Sequence, residues 1–279
     1  MLHQNIPLTI DYAAAGLSGT AQATLTTYVI THEREMDKIV SRPAVVVCPG
    51  GGYGFCSSRE AEPIARRFLA AGFQAFVLTY SIKQLPFPAH LLQAATAVAT
   101  VREHAAEWDI DPNKIFIIGF SAGAHLAGSL GTLWNRDYVK NALGYHNGEH
   151  RPNGMILSYP VITSGEYAHR GSFDNLLLDG KDDPEKLLEV SLEKQVSADT
   201  VPAFLWHTVT DAAVPVENSL LMATALQQNH IPYEMHLFPE GRHGLSLASF
   251  ETGGGPEAVT TWPDLVIRWI TDLKTTENP

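Results

Sequence analysis

The residues most able to do chemistry form a short pattern near the middle of the chain. Ser121 is the central residue of a G-x-S-x-G pattern at positions 119–123, directly after an apolar run and directly before a helical pattern. A serine in this strand–turn–helix setting is typical of a nucleophile elbow, in which a tight turn holds the hydroxyl above the edge of a sheet. The alternative is that this pattern only begins a buried helix and has no catalytic role, but its place between a strand and a helix favours a nucleophile.

A serine hydroxyl becomes nucleophilic beside a base, and the base needs an acid that orients it. Among the 12 histidines, His243 lies in a glycine-flanked loop directly after a predicted strand, whereas His236 lies inside that strand. Asp211 follows the preceding predicted strand, and the order Ser, Asp, His is the one found with nucleophile elbows. We therefore predict Ser121 as nucleophile, His243 as general base and Asp211 as orienting acid. A structural turn aspartate is the alternative for Asp211.

A glycine run follows an earlier buried strand pattern, at residues 49–53. Glycine lets backbone N–H groups approach a substrate closely, and several such donors stabilise the oxyanion of a tetrahedral intermediate. We predict that Gly51 and Gly52 supply these donors together with Ala122, the residue after the nucleophile. The run has neither the G-x-G-x-x-G spacing nor the immediately following helix of a dinucleotide site.

Aromatic residues near these positions are candidates for a substrate pocket. Tyr53 and Trp206 are predicted to bind substrate, with a place in the core as the alternative for each, because aromatic side chains near strand ends are more often core residues. His125 and His207 adjoin the candidate catalytic residues, and we interpret both as packing residues whose ring nitrogens are hydrogen-bonded.

The elements that must position these residues alternate between strand and helix patterns. This alternation predicts an α/β fold with a mostly parallel central sheet covered by helices on both faces. Alternating apolar and polar residues before position 31 predict two antiparallel strands at the sheet edge. The other predicted strands are 44–48, 73–80, 114–119, 154–159, 203–208 and 233–238, and the predicted helices are 60–71, 89–108, 122–134, 183–194, 217–229 and 256–273.

One segment, residues 160–202, interrupts the alternation and contains one clear helical pattern. A long irregular segment in a compact domain is usually functional. We expect one domain over residues 1–279, in which residues 160–202 form a small lid over the carboxyl ends of the strands.

Composition narrows the range of partners and compartments. The formal net charge of −11 argues against nucleic acid or an anionic membrane as partner, since both favour clustered Lys and Arg. The N-terminal residues lack the basic and apolar regions of a signal peptide, and no apolar stretch is long enough to span a membrane. Cys48 and Cys56 are expected to be reduced thiols and form no metal motif. We expect a cytoplasmic enzyme without a metal.

With these motifs in this order, the chain resembles the α/β-hydrolase superfamily, and within it bacterial esterase/lipase-like proteins related to acetyl xylan esterases. The resemblance covers roughly residues 40–275 and depends on PGGGY at 49–53, GFSAGAHL at 119–126, SYPVITSGEYAHRGSF at 158–173 and WHTVTDAAVPVENSL at 206–220. It implies hydrolysis of small-molecule esters with short acyl groups, no cofactor, and a homodimer. Pro49 replaces the histidine of the related HGGG loop, and Ala124 replaces a glycine that often follows the elbow.

Three functions are compatible with these residues. The leading one is a serine carboxylesterase acting on acetyl-type esters, including acetylated sugars. The second is an exopeptidase or amidase with the same triad, which needs acidic residues of the lid, such as Glu166, Asp179 or Asp182, to bind a peptide N-terminus. The third is a non-catalytic binding protein with a hydrolase fold, and the presence of all three triad residues argues against it.

Overall fold

The computed structural model describes residues 1–31 and 41–273, and in these two ranges eight strands form one sheet. The strands are β1 (Asn5–Pro7), β2 (Thr24–Tyr28), β3 (Arg42–Cys48), β4 (Gln74–Thr79), β5 (Ile110–Phe120), β6 (Gly154–Ser158), β7 (Ala203–Thr208) and β8 (Tyr233–Phe238). Their spatial order is β1-β2-β4-β3-β5-β6-β7-β8. β2 pairs antiparallel with β1 and β4, and every other neighbouring pair is parallel. The predicted mostly parallel sheet with an antiparallel edge is confirmed.

Helices pack on both faces of this sheet. They are α1 (Glu62–Ala70), α2 (Ala89–Glu103), α3 (Ala122–Leu133), α4 (Asp137–Leu143), α5 (Arg170–Leu177), α6 (Pro184–Glu189), α7 (Glu217–Gln228) and α8 (Trp262–Asp272). The core on one face contains residues of α2, α3, α4, α5 and α7, and the core on the other contains residues of α1 and α8. In β3, Val46 belongs to the first core and Val45 and Val47 to the second. A strand segment buried on both faces is apolar, which explains the unbroken apolar pattern of residues 44–48 in β3.

Several predicted elements have different bounds in the structure. The helix predicted to reach residue 108 ends at Glu103, and the one predicted over 183–194 ends at Glu189. In the second case the chain extends at Ser191, and Leu192 donates its N–H to the carbonyl of Ile162 instead of continuing the helix. α4 and α5 were not predicted from the sequence. No helix in the described ranges is long and apolar enough to cross a membrane.

Candidate active site

Ser121 occupies a strained turn between β5 and α3. Its φ of 54° is a left-handed value that side chains other than glycine rarely adopt. The turn is possible because two flanking residues lack a Cβ atom. A Cβ on Gly119 would lie 2.0 Å from the carbonyl oxygen of Gly123, and one on Gly123 would lie 2.1 Å from that of Cys48. The glycines of the sequence pattern therefore permit the close packing on which this serine turn depends.

The three residues predicted from chain order form a hydrogen-bonded relay. His243 Nε2 lies 2.8 Å from Ser121 Oγ, and His243 Nδ1 lies 2.6 Å from Asp211 Oδ2. A carboxylate only accepts hydrogen bonds, so Nδ1 donates to Asp211 and Nε2 is left to accept the serine O–H. This arrangement can remove a proton from Ser121.

Asp211 is held in place by backbone groups as well as by the histidine. Its Oδ1 accepts the N–H groups of Ala213 and Val214 at 2.9 and 3.0 Å. Burial raises the pKa of Asp211, but hydrogen bonding to His207 and His243 and the charge of His243 outweigh burial and hold this pKa well below its usual range. Asp211 is therefore ionised at neutral pH, as an orienting acid must be.

The glycine run lies directly against the serine turn. A Cβ on Gly50 would lie 3.1 Å from Ser121 Cβ, and the Gly50 N–H donates to Glu60 Oε2 at 2.8 Å. Gly51 and Gly52 adopt positive φ values of 129° and 62°. In the described part of the chain, the N–H groups of Gly51, Gly52 and Ala122 have no protein acceptor. These donors are available to a ligand beside Ser121.

A cavity of about 420 Å³ opens above the relay. It brings together Ser121, His243, Gly51 and Gly52, which were predicted on separate loops. It is lined by Gly51, Gly52, Gly54, Phe55, Ser57, Arg59, Glu60, Ser121, His169, Gly171, Asn175, His243 and Gly244. The segment 160–202 therefore contributes to its wall.

The structure corrects the interpretation of the two aromatic residues predicted to bind substrate. Trp206 is fully buried, stacks on Trp262 and donates its indole N–H to Ser158 Oγ at 2.8 Å. Tyr53 is 1% exposed, and its hydroxyl lies 2.8 Å from His125 Nδ1. Neither residue is among those that line the described cavity. Both are packing residues because their rings point into the two cores.

The histidines beside the relay have satisfied side chains. His125 Nε2 lies 2.8 Å from the carbonyl oxygen of Val190, so it links α3 and the Tyr53 hydroxyl to the segment 160–202. Burial lowers the pKa of His125 to about 4. His207 Nδ1 lies 2.8 Å from Ser219 Oγ, and its Nε2 lies 3.0 Å from the carbonyl oxygen of Val214. Both were interpreted from the sequence as packing residues.

Four residues around the relay were missed in the sequence. Glu60 and Tyr159 form a buried pair behind the histidine, and His169 and Asn175 stand on the cavity wall. Tyr159 directly follows β6, and this strand-end position was a usable signal. Glu60, His169 and Asn175 lie in or beside irregular segments, where no periodicity of apolar residues indicates which side chains contact the site.

No cluster of three or more potential metal ligands occurs among the described side chains. Cys48 is buried, Cys56 is partly exposed, and neither forms a disulfide in the structure. Burial raises the pKa of both thiols. Neither thiol is therefore ionised near pH 7.

The mostly parallel sheet and the serine at its strand–helix turn define an α/β hydrolase. A family model described as BD-FAE matches residues 33–226, and the chain belongs to this family. A crystal structure of an acetyl ester-xyloside bifunctional hydrolase from Caldicellulosiruptor lactoaceticus has a TM-score of 0.80 and 37% identity, over 96% of this chain and 95% of that chain. The expected fold is thereby confirmed.

Two relatives have names that refer to xylan. Endo-1,4-beta-xylanase B of Butyrivibrio fibrisolvens is 44% identical over 220 residues, covering 77% of this chain and 34% of that protein. An acetylxylan esterase of Xylanibacter ruminicola is 30% identical over 212 residues, covering 74% of this chain and 42% of that protein. The chain thus spans less than half the length of each of these two relatives.

Proposed function

We propose that this protein is a serine carboxylesterase that hydrolyses short-chain, acetyl-type esters, including those of sugars. The observation that carries the proposal is the relay from Ser121 Oγ through His243 to Asp211, with distances of 2.8 and 2.6 Å. The names of the relatives, an acetylxylan esterase and an acetyl ester-xyloside hydrolase, support the same class of substrate.

The reaction begins when His243 Nε2 takes the proton of Ser121 as Oγ attacks the ester carbonyl carbon. The oxygen that becomes negative accepts hydrogen bonds from the N–H groups of Gly51, Gly52 and Ala122. His243 then gives its proton to the leaving alcohol oxygen, and an acyl-serine remains. Water, activated by the same histidine, releases the acid. Loss of one oxyanion donor typically lowers kcat by about 100- to 1000-fold.

Residues 160–202 form the lid of a single-domain enzyme in this proposal. His169 and Asn175 support this role because they stand on the cavity wall, and Asn175 Nδ2 donates to the carbonyl oxygen of Gly52 at 2.8 Å. Through this contact, the segment also holds the glycine loop. A cytoplasmic location, a homodimer and the absence of a cofactor stay predictions.

The exopeptidase alternative receives less support. It requires acidic lid residues at the cavity, but the Asp182 side chain is 81% exposed and pairs with Arg170 at 2.9 Å. Glu166 and Asp179 are also absent from the described cavity lining. The carboxylate that does line it, Glu60, is already hydrogen-bonded to Gly50 and Tyr159.

The test is hydrolysis of p-nitrophenyl acetate by the wild type and by Ser121→Ala, with labelling by a fluorophosphonate probe. We expect both turnover and labelling to disappear in Ser121→Ala while the fold is retained. Ser58→Ala, which changes an exposed serine near the site, is the matched control. Wild-type turnover in Ser121→Ala would refute the mechanism.

The acyl preference is tested with p-nitrophenyl esters from acetate to octanoate, beside acetylated sugars and aminoacyl p-nitroanilides. The preference for small acyl groups is supported by the names of the relatives, an acetylxylan esterase and an acetyl ester-xyloside hydrolase. We expect kcat/KM to fall steeply beyond four carbons and the anilides to react poorly. Efficient anilide cleavage would favour the exopeptidase alternative.

A further inference from the structure

His169 stands on the cavity wall beside the glycine loop. It immediately precedes α5 and lines the same cavity as Ser121 and His243. A Cβ atom on Gly52 would lie 3.9 Å from His169 Cε1, so the imidazole lies close to the proposed oxyanion donors. The relay does not use this histidine, and its position calls for a separate role.

The His169 ring is held through one nitrogen only. His169 Nδ1 lies 2.8 Å from Ser172 Oγ, and the backbone N–H of Ser172 donates to the carbonyl oxygen of His169 at 2.9 Å. Among the residues that the structure describes, His169 Nε2 has no hydrogen-bond partner. One nitrogen therefore fixes the ring while the other is available to a substrate.

The surroundings of His169 favour the neutral form of its imidazole. Burial lowers the pKa of His169, the charge of His243 lowers it further, and Asp211 opposes both effects. A neutral imidazole has one donor and one acceptor nitrogen. Because Ser172 can either donate to or accept from Nδ1, Nε2 can either donate or accept toward a ligand hydroxyl.

An aromatic ring completes this part of the cavity. Phe55 lines the cavity and is 61% exposed, so its ring is open to a ligand. Small-molecule sites commonly combine apolar surface with a few placed polar groups. A sugar ring has both the apolar C–H face and the hydroxyl groups that suit Phe55 and His169.

We propose that His169 selects esters whose alcohol part has a free hydroxyl beside the esterified oxygen, as in partly acetylated sugars. The inference rests on the proposed function, because the leaving oxygen must face His243 Nε2 in order to be protonated. A hydroxyl on the adjacent carbon is then within reach of His169 Nε2, and the ring carbons pack against Phe55. His169 is a specificity-determining residue and forms no covalent bond.

A matched pair of esters isolates this hydrogen bond. Cyclohexyl acetate and the monoacetate of trans-1,2-cyclohexanediol differ only in the neighbouring hydroxyl. We expect the wild type to favour the diol monoacetate in kcat/KM by about 2- to 10-fold, the net effect of one neutral hydrogen bond. In His169→Phe the ratio should fall to about 1, mainly through a higher KM for the diol ester.

Two further variants separate recognition from structure. In His169→Gln an amide replaces the imidazole, and we expect part of the preference to return. His146→Phe changes an exposed histidine outside the cavity lining and should keep the wild-type ratio. Active sites are counted by fluorophosphonate titration, so that unfolded protein does not enter kcat.

The outcomes distinguish this inference from the proposed function. A wild-type ratio near 1, or an unchanged ratio in His169→Phe, overturns the role of His169 even if both esters are hydrolysed. Equal losses on both esters in His169→Phe also overturn it, because they indicate a general structural role. If the wild type hydrolyses neither ester, the inference fails, and the p-nitrophenyl acetate assay decides the proposed function separately.

Discussion

Tyr159 donates its hydroxyl to Glu60 Oε1 at 2.6 Å, and this buried pair joins three parts of the site. Glu60 Oε2 accepts the N–H of Gly50, the first glycine of the loop that holds the proposed oxyanion donors. The Tyr159 hydroxyl also accepts the N–H of Ser246 at 2.9 Å, and its ring packs edge-on against His243. The glycine loop and the histidine loop are therefore positioned by one carboxylate.

Replacing Glu60 by Gln tests this connection. One carboxylate oxygen becomes an NH₂ group, which must face either the Gly50 N–H or a Tyr159 hydroxyl that already accepts from Ser246. A buried hydrogen bond is lost, so we expect the free energy of unfolding to fall by about 1–3 kcal/mol. We also expect a lower kcat, because the glycine loop loses its anchor. Urea unfolding and p-nitrophenyl acetate kinetics measure the two effects.

Glu62→Gln is the matched control. The Glu62 side chain is 61% exposed and pairs with Arg66 at 3.7 Å on the surface of α1. Exposed pairs of this kind contribute about 0.3–0.5 kcal/mol. Equal effects of the two substitutions would contradict the anchoring role of Glu60.

Asp211→Asn should retain the fold but remove activity through the histidine tautomer. The backbone N–H groups of Ala213 and Val214 already donate to Asp211 Oδ1, so the amide oxygen takes that position and the NH₂ faces His243. His243 Nδ1 must then accept, and its proton moves to Nε2, where it can no longer accept the Ser121 O–H.

We expect kcat of Asp211→Asn to fall by about 10⁴-fold, the size of effect found when a triad histidine has the wrong tautomer. Assays with p-nitrophenyl acetate measure kcat, and circular dichroism checks that the fold is retained. Asp137→Asn, at a side chain that is 87% exposed, should leave kcat unchanged. A loss of less than tenfold in Asp211→Asn would argue for a structural turn aspartate.

Buried neutral histidines predict a loss of stability in mild acid. Burial lowers the pKa of His90 to about 4, and a histidine in an unfolded chain titrates near pH 6.5. Between these values the unfolded state binds the additional proton, so stability falls as the pH falls from about 6.5 to about 4. Each such histidine contributes up to about 1.4 kcal/mol per pH unit.

The variant His90→Phe should therefore reduce the slope of stability against pH in this window. The measurement is the free energy of unfolding in urea at several values between pH 4 and pH 7, compared with the wild type. His125, with a pKa also lowered to about 4 by burial, keeps its own contribution in that variant. Parallel curves for the two proteins would show that His90 does not titrate on unfolding.

Gly123→Ala should damage the serine turn severely. The added methyl group would lie 2.1 Å from the carbonyl oxygen of Cys48, and neither backbone segment can move without displacing the sheet. We expect a loss of about 3 kcal/mol or more in unfolding free energy. Gly144→Ala is the control, since no atom lies within 4 Å of the added group and only its φ of 69° opposes the change.

For Gly144→Ala we expect a cost of about 1–2 kcal/mol, the penalty for a left-handed residue with a side chain. Thermal or urea unfolding of both variants, with fluorophosphonate labelling of Ser121, gives the comparison. If Gly123→Ala were as stable and as reactive as the wild type, this result would contradict the close packing of the serine turn against β3.

The sequence alone determined the order and placement of the relay. Ser121, Asp211 and His243 each follow a strand pattern, and parallel strands present their carboxyl ends at one edge of a sheet. Local periodicity and this topological rule, together with the G-x-S-x-G pattern and the chain order Ser, Asp, His, were enough to predict that the three residues meet. The glycines at positions 119 and 123 also predicted the tight turn, because few residue types other than glycine fit such a turn.

Only the tertiary structure decided which other side chains meet the relay. Trp206 lies on a strand that is apolar on both faces, so its pattern could not indicate that the ring points into the core against Trp262. Glu60 and Tyr159 are 99 residues apart in the chain, and His169 lies in an irregular segment. Contacts of this kind depend on how separate elements pack, and no local periodicity encodes that packing.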